Sequence, residues 1–351
     1  MPERKSRFLI LRLSSIGDIA LTTPVLDQLL ADYGPKSVDY IIKKTYKPLI
    51  ESHPAIRKIY CLEDYPSLLA LRRKIRGKHY HRILDLHKNI RSIFLTRGFP
   101  QVSRIKKGIF KRFLLTKFKI YKPPYLHVTQ KYLKVLECET PSIPSSFLYL
   151  PSETCIQEKN KEIYTVLKTS QKSLILAPGA SKPSKMLPFE TWEKVIDDVY
   201  RKFEKIVIIG NGAEESEWAR KMSQEGKSET IIDLTGRLSL CELMLFISQG
   251  IIFVGNDSGP AHLAAMLGLK TLVIFGQTVP EYGFTPLNSP ILIEPPSHLL
   301  CRPCGHLGHD VCPKKHHLCM QSIDAESIIC EIYYVLQTNE DIKNTHENRV
   351  Y

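Results

Sequence analysis

The chain has no apolar run long enough to cross a membrane. A membrane-spanning helix needs about 18 to 20 consecutive apolar residues, whereas the longest candidate, residues 243–256, is interrupted at 248–250 and stops before the charged Asp257. A cleavable leader is not expected either, because Arg12 breaks the first apolar run and no small-residue cleavage site follows before Asp18. We therefore expect a protein without a membrane anchor, whose first apolar residues form a strand.

Three motifs of nucleotide and metal chemistry are also missing. The loop after the first apolar run is not Gly-x-Gly-x-x-Gly, the glycine-containing loop at 177–181 lacks the spacing of an ATP-hydrolysing P-loop, and no Asp-x-Asp pair occurs anywhere. These absences disfavour a dinucleotide fingerprint and an ATPase loop. They also exclude metal binding through an Asp-x-Asp pair.

Cysteine is present, but in an odd number of nine and without a secretion signal, so we expect a reducing compartment and no structural disulfides. Four cysteines lie within 19 residues, and four histidines lie among them. This spacing is typical of a zinc site, and the alternative is a set of reduced, packed thiols. The candidate ligands are Cys301, Cys304, Cys312 and Cys319.

Charge divides the chain into two unlike halves. The 351 residues carry a net charge of +13, with 43% apolar and 24% charged residues, a composition typical of a folded protein of two domains. Residues 1–150 hold 29 Lys and Arg against 11 Asp and Glu, a net +18, whereas residues 151–351 have a net charge of −5. The first half therefore favours an anionic partner.

The most basic part of this half is residues 103–122, hereafter the basic segment. It carries eight basic residues and no acidic one, interleaved with apolar residues. Such a segment suits an anionic lipid surface or a phosphorylated ligand, and on charge alone it also suits nucleic acid. The remaining alternative is a solvated face without a partner. The basic residues singled out are Lys106, Lys107, Lys111 and Arg112.

Apolar runs of strand length alternate with helical patterns, which is typical of a parallel sheet flanked by helices. A Pro- and Ser-rich linker at 140–152 interrupts the alternation. Expected strands before it are 8–13, 38–42, 56–61 and 82–86, with helices at 20–30 and 65–75. Expected strands after it are 174–177, 206–209, 251–254 and 271–275, with helices at 189–203, 214–224, 240–248 and 258–267.

This pattern predicts an α/β protein of two Rossmann-like domains facing a cleft, residues 1–150 and residues 151–337. Apolar positions Ile328, Ile332 and Leu336 predict one last amphipathic helix before a polar tail at 338–351.

The loop that ends at Asp18 follows the first predicted strand, at the edge of a parallel sheet where ligands bind. Asp18 opens the next predicted helix. Its carboxylate therefore either caps backbone N–H groups or stands free in the cleft as a general base.

Two loops of the second half favour phosphate binding. Gly179 follows a strand, and Lys185 lies a few residues on, so backbone N–H groups and a point charge could hold a phosphate there. The alternative is a lysine exposed in a loop.

The second loop, residues 255–262, is the more informative. Ser258 is a natural N-cap, so the next helix would point unpaired N–H groups at a pyrophosphate. Asp257 would reach sugar hydroxyls. His262 lies one turn into the helix and is either a site residue or a buried structural histidine.

Taken together, these segments resemble the heptosyltransferase family, enzymes that build the inner core of lipopolysaccharide. The resemblance runs from Ile10 to about Met320. It implies the GT-B type of fold, an acceptor-binding N-terminal domain, a C-terminal domain that binds ADP-heptose, and inverting transfer that requires no metal or other cofactor. Its carriers are LRLSSIGDIALTTPVL (11–26), LAPGASKPSKMLP (176–188), GNGAEE (210–215), DLTGRLSL (233–240) and FVGNDSGPAHLAAMLGLKTLVIFGQT (253–278).

The resemblance also implies roles for single residues. Asp18 matches the family's general base, and Lys185 matches the lysine that neutralises the diphosphate leaving group. Glu214 or Glu215 matches the acidic residue that holds the ribose, and the register between the two stays open. Leu187, which precedes Pro188, departs from the family pattern, because some relatives have an aromatic residue at this position. The family's donor motif, Asp-Ser/Thr-Gly-x-x-His, matches Asp257, Ser258, Gly259 and His262.

The function expected from the resemblance is transfer of heptose from ADP-heptose to the anionic lipopolysaccharide core, at the inner face of the cytoplasmic membrane. Alternatives are a glycosyltransferase with another nucleotide-sugar donor and a nucleotide-sugar 2-epimerase, which would leave the +18 of the first half unexplained. A nucleic-acid-binding protein would explain the basic segment but not the donor motif, so nucleic acid is not expected as a partner. The core position glycosylated and the oligomeric state stay open.

Overall fold

The computed structural model describes residues 7–120, 125–138, 143–224, 229–296 and 299–347, with side chains as far as residue 338. The described residues form two parallel sheets. All strands of the first precede the expected linker at 140–152, and all strands of the second follow it. In the part of the linker that is described, residues 143–152, there is no helix or strand.

The first sheet has five parallel strands: β1 (Phe8–Leu11), β2 (Val38–Ile42), β3 (Ile56–Cys61), β4 (Arg82–Asp85) and β5 (Val102–Arg104). Their order is β3-β2-β1-β4-β5, and in the register Phe8 lies opposite Val38 and Arg82. β1 is central and wholly buried. The parallel sheet predicted from the alternation is confirmed. β5, which overlaps the start of the basic segment, is a strand that the sequence analysis did not predict.

The described residues of this half contain the helices α1 (Ile16–Ala20), α2 (Thr23–Tyr33), α3 (Leu68–Arg76), α4 (Ile90–Thr96), α5 (Ile109–Phe118) and α6 (Val128–Leu133). Short 3₁₀ helices lie at Lys44–Leu49, Leu62–Asp64 and Lys134–Leu136. The single helix expected at 20–30 is two helices. Pro24 explains the break, because proline has no N–H to continue a helix but fits the first turn of a new one.

The second sheet has six parallel strands in the order β11-β10-β9-β6-β7-β8. They are β6 (Ser173–Ala177), β7 (Lys205–Ile208), β8 (Ile231–Asp233), β9 (Ile252–Asn256), β10 (Lys270–Ile274) and β11 (Ile291–Ile293). The four expected strands are confirmed within a few residues. The two that the sequence did not indicate, β8 and β11, have three residues each and no periodic pattern to detect.

The second half contains α7 (Glu158–Thr169), α8 (Phe189–Val199), α9 (Ala213–Gln224), α10 (Leu240–Ile247), α11 (Gly259–Met266), α12 (Leu318–Gln321) and α13 (Ala325–Glu347), with 3₁₀ helices at Glu153–Cys155, Pro183–Lys185, Tyr200–Lys202 and Pro280–Tyr282. The amphipathic last helix is confirmed: Ile328 and Ile332 of α13 are fully buried in the core that contains Trp192 of α8. α13 continues to Glu347, past the start of the expected polar tail, and residues 348–351 lie outside the described residues.

Cys155 and Cys241 form a disulfide, with Cα atoms 6.4 Å apart. The expectation of no structural disulfide is therefore wrong. The two cysteines are 86 positions apart, and only the fold brings the 3₁₀ helix after the linker onto the first turn of α10.

Among the described residues, no helix combines the length and the hydropathy needed to span a bilayer.

Candidate active site

A cavity of about 1190 Å³ lies between the two sheets and is lined by residues of both halves. Its walls come from the loops that follow β1, β4, β5, β6, β7, β9 and β10, the carboxyl ends of parallel strands, where open α/β sheets bind ligands. Every residue singled out from the sequence as a donor or catalytic residue lines it: Asp18, Gly179, Lys185, Glu214, Glu215, Asp257, Ser258, Gly259 and His262.

Asp18 is held in an ion pair. Its Oδ1 lies 2.6 Å from an amino nitrogen of Arg12, and its Oδ2 accepts hydrogen bonds from the backbone N–H and the hydroxyl of Ser15, at 3.3 and 2.9 Å. Its side chain is 23% exposed and lines the cavity. The sequence left two roles open, a helix cap and a carboxylate in the cleft. The structure combines them, because one oxygen of Asp18 caps α1 and the carboxylate also lines the cavity.

Arg12 was not singled out from the sequence. It donates to the carbonyl of Leu86 at 2.7 Å, and its guanidinium lies 5.8 Å from the ring centre of Tyr132. Burial lowers the pKa of Arg12, but Tyr132 and Asp18 raise it by more, so the side chain stays charged. In the sequence, Arg12 is marked only as a single arginine directly after an apolar strand. Its pairing with Asp18 becomes visible only in the fold.

α1 and α11 approach each other closely at the floor of the cavity. A side chain at Gly17 would occupy the space of the His262 ring, and a side chain at Gly259 would come within 3.0 Å of Cβ of Ile16. His262 is 7% exposed, and burial lowers its pKa. The charges of Asp257, Asp18 and Lys185 also act on its pKa, so His262 lies among the charged groups of both halves. The histidine is both buried and part of the site.

Lys185 and Asp257 form a second ion pair, with 2.6 Å between Nζ and Oδ2, and both side chains are largely buried. The hydroxyl of Thr278 donates to the same carboxylate oxygen at 2.8 Å. Ser258 occupies the N-cap position of α11 with an extended backbone, its hydroxyl makes no capping hydrogen bond with any described residue, and Pro260 lies in the first turn. The N-terminus of α11, with its unpaired N–H groups, therefore opens into the cavity beside Lys185.

Glu214 and Glu215 have different surroundings. Glu215 is 5% exposed; its Oε1 accepts hydrogen bonds from the backbone of Asn211 and Gly212, and its Oε2 has no hydrogen-bond partner in the described part of the chain. Any side chain at Gly179 would collide with this carboxylate. Glu214 is exposed at the edge of the cavity.

The basic segment reaches across to the second half of the chain. Leu115 of α5 packs against Val279 and Tyr282, and the ammonium group of Lys119 donates to the carbonyl of Cys301 at 3.2 Å. The four basic residues singled out divide between two cavities. Lys107 and Arg112 line the main one, whereas Lys106, Lys111 and also Arg112 line a neighbouring one. The segment is therefore not merely a solvated face.

His87 is a further cavity residue that sequence reasoning missed. It follows β4, and burial, with the nearby charges of Arg12 and Lys107, lowers its pKa to about 4. The imidazole is therefore neutral at pH 7 and can accept or donate a hydrogen bond without adding to the positive charge of this wall.

The four candidate zinc ligands line one small closed cavity with His316 and His317. Within the described residues, no group of three or more Cys, His, Asp or Glu side chains is arranged to hold a metal ion. The zinc alternative is therefore not seen in the arrangement of these side chains. None of the four cysteines forms a disulfide, and burial raises the pKa of Cys319 to about 12.

The cysteine-rich segment supports the loop that carries Lys185. The backbone N–H of His309 donates to the hydroxyl of Ser184 at 2.7 Å, and the ring of His317 lies 3.1 Å from the carbonyl of Ser184. Ser184 also donates to Gln277 at 2.9 Å. These contacts position the residue next to Lys185.

Two parallel sheets that face one cleft, with their ligand-binding loops turned toward each other, define the GT-B architecture of glycosyltransferases. The sequence model of glycosyltransferase family 9 (heptosyltransferase) matches residues 68–306, and the chain belongs to this family. The protein is therefore a glycosyltransferase.

Three known proteins illustrate the likeness. The chain is 28% identical over 346 residues to lipooligosaccharide heptosyltransferase 2 of Campylobacter jejuni serotype O:2, covering 94% of this chain and 97% of that protein. Its fold matches the Escherichia coli ADP-heptose LPS heptosyltransferase II with a TM-score of 0.70 at 18% identity, covering 95% and 99% of the two chains. It also matches E. coli heptosyltransferase WaaC with ADP-2-deoxy-2-fluoro heptose, with a TM-score of 0.60 at 16% identity, covering 93% and 99%.

Gly17→Ala tests the close approach of α1 and α11. The added methyl group would overlap the buried His262 ring, so we expect the free energy of unfolding to fall by about 1 to 3 kcal/mol. Gly77→Ala is the matched control, because nothing lies within 4 Å of its added Cβ, and its effect should stay within about 1 kcal/mol. Denaturant unfolding measures both, and equal stability of the two variants would contradict the packing described.

Proposed function

We propose that this protein transfers heptose from ADP-heptose to an anionic acceptor of the lipopolysaccharide inner core, with inversion at the anomeric carbon. The observation that carries the proposal is the convergence of Asp18 from the first half with Lys185 and the N-terminus of α11 from the second half on one cavity. The family and the names of the relatives, which include ADP-heptose and lipooligosaccharide, support the substrates.

The second half, residues 151–337, would bind the donor. The N-terminus of α11 and Lys185 suit the diphosphate, whose negative charge grows as the bond to the sugar breaks. Lys185 is paired with Asp257, so binding of the diphosphate requires the lysine to share or exchange this carboxylate. Glu215 rather than Glu214 is the better candidate for the ribose, because its free Oε2 is buried in the cavity wall.

The first half, residues 1–150, would bind the acceptor. Asp18 takes the proton of the acceptor hydroxyl while the hydroxyl oxygen forms a bond to the anomeric carbon of the heptose. The bond from that carbon to the diphosphate breaks on the opposite face, and ADP leaves with the electron pair. Arg12 fixes the carboxylate at 2.6 Å and stays charged through the step. Lys185 and the helix N-terminus supply the positive charge for the leaving group, so no metal or other cofactor is assigned a role.

We further propose that the basic segment rests on the inner face of the cytoplasmic membrane, where a lipid-anchored acceptor is presented. Its apolar residues Ile109, Phe110 and Phe113 are 67%, 71% and 52% exposed, beside the exposed Lys106 and Lys111. Exposed aromatic residues among lysines are typical of a surface that enters the headgroup region of anionic lipids.

Asp18→Asn tests the base. The amide keeps the shape and the hydrogen bonds to Ser15 but cannot take a proton, so turnover should fall by about 10² to 10⁴ with little change in ADP affinity. Ser15→Ala is the matched control, because it removes the cap donor and keeps the carboxylate. Steady-state kinetics and ADP titration measure both. Near-normal turnover of Asp18→Asn, or an equal loss in both variants, would reduce Asp18 to a helix cap.

Lys185→Ala tests the leaving-group lysine and the nucleotide together. We expect lower turnover and weaker ADP binding, because the positive charge beside the diphosphate is lost. Lys182→Ala is the control, since Lys182 pairs with Asp310 and does not line the cavity. Thermal-shift titrations with ADP, ADP-heptose and UDP-sugars check the binding. Selective stabilisation by UDP-sugars would favour the 2-epimerase alternative, and unaltered kinetics of Lys185→Ala would remove the lysine from the site.

A variant in which four basic residues of the basic segment are replaced by Gln tests whether this segment binds the membrane surface. Removing four positive charges should reduce binding to anionic vesicles, by about 1 kcal/mol per charge, and wild-type binding should weaken as salt is raised. Co-sedimentation with anionic and neutral vesicles is the measurement. Equal sedimentation of the two variants would contradict the proposal. The test variant changes Lys106, Lys107, Lys111 and Arg112, and the charge-matched control changes the exposed Lys159, Lys161, Lys194 and Lys202.

A further inference from the structure

A second cavity of about 730 Å³ opens beside the main one, between α5, α6 and the 3₁₀ helix Pro280–Tyr282. Arg112, Lys131 and Tyr282 line both cavities, so the two are adjacent. No residue of the donor motif lines the second cavity. It is thus a side chamber whose cations Arg112 and Lys131 also face the cavity that contains Asp18.

The chamber has a large excess of positive charge. Its lining contains two carboxylates, Glu137 and Glu281, and six cationic side chains, Arg104, Lys106, Lys111, Arg112, Lys131 and Lys134. Glu137 already pairs with Arg82 at 2.8 Å, and Arg104 already faces Asp85 at 3.5 Å. These two pairs leave the rest of the chamber strongly cationic.

Four of the cations form no ion pair within the described residues: Lys106, Lys111, Arg112 and Lys131. Glu281 lines the same chamber, but it forms no ion pair with any of the four. Burial first, and then the like charges of Arg112 and Lys111, lower the pKa of Lys131 to about 8. Arg112 and Lys131 are partly buried. Partly buried like charges without a counter-ion are unfavourable, and an anion placed among them relieves both the repulsion and the desolvation.

We propose that this chamber is a subsite for an oxyanion of the acceptor saccharide, a phosphate or carboxylate group held by Lys131, Arg112 and Lys111 while the acceptor hydroxyl lies at Asp18. The inference rests on the proposed function, because it takes the acceptor to be anionic. Lys131 and Arg112 line both the concave chamber and the reaction cavity, so a substituent of the bound acceptor reaches them more readily than a flat lipid surface does. The subsite would orient the acceptor and select for the charged form.

The test uses deacylated core oligosaccharide in three forms: intact, phosphatase-treated and carboxyl-reduced. Isothermal titration calorimetry measures its binding to full-length protein saturated with ADP. Lys131→Gln should weaken binding of the intact oligosaccharide by about 10- to 100-fold, the range for losing a charged hydrogen bond. Lys131→Arg should restore most of the affinity. Lys74→Gln, an exposed residue of α3 that lines neither cavity, should bind as wild type does.

The oligosaccharide that lacks the recognised group should bind the wild type and Lys131→Gln equally, because the lysine then has no partner to lose. The treatment that removes this difference identifies the group as phosphate or carboxylate. If Lys131→Gln binds the intact oligosaccharide as tightly as wild type, or loses the same factor with all three forms, the subsite is overturned. The subsite is also overturned if Lys131→Gln binds the oligosaccharide normally and loses affinity only for vesicles that contain phosphatidylglycerol. That result would assign the positive charge to membrane binding.

Heptose transfer and Lys131-dependent binding of oligosaccharide are measured separately, so the subsite and the proposed function can fail independently. If the wild type is stabilised by ADP-heptose and transfers heptose, yet shows no Lys131-dependent binding of oligosaccharide, only the subsite is wrong. If Lys131-dependent binding is found but no heptose is transferred, the subsite stands and the assignment of the donor fails.

Discussion

The site depends on the close contact of two short helices, α1 from the first half and α11 from the second. Glycines at the contact let the helices approach until the ring of His262 fills the space beside Gly17 and the side chain of Ile16 lies over Gly259. Each helix follows the central part of its sheet, β1 or β9, so the contact brings the carboxyl ends of both sheets to one cavity. A carboxylate on α1 and a helix N-terminus of α11 then share that cavity, and a transfer between two bound substrates requires such an arrangement.

The two groups that the proposed reaction uses as base and as leaving-group cation are both held in ion pairs. Asp18 is paired with Arg12, and Lys185 with Asp257, each at 2.6 Å and each mostly shielded from solvent. Pairing fixes the positions of the groups, which reduces the reorganisation needed when charge develops during the reaction. The two pairs have different fates in the proposed reaction. Arg12 can remain on Asp18 throughout, whereas Lys185 has to turn from Asp257 to the diphosphate if it neutralises the leaving group.

Sequence patterns predicted the two parallel sheets, because long buried strands and amphipathic helices leave strong periodic signals. They missed β8 and β11, which are three residues long, and the disulfide between Cys155 and Cys241, whose partners only the fold brings together. Motif spacing placed Asp18, Lys185 and the donor motif at loops that do converge, since strand ends in a parallel sheet share an edge. It could not find Arg12 or Lys131, which are single residues without a motif, nor decide between Glu214 and Glu215, because neighbouring helix positions differ in burial only through packing.

The central claim is a direct displacement in which Asp18 activates an acceptor hydroxyl against ADP-heptose. The most direct measurement is the anomeric configuration of the transferred heptose, determined by NMR on the product that the purified protein forms from ADP-heptose and deacylated core oligosaccharide. The account predicts a configuration opposite to that of the donor, because the acceptor oxygen attacks the face opposite the departing diphosphate. Retention of the donor configuration would contradict it.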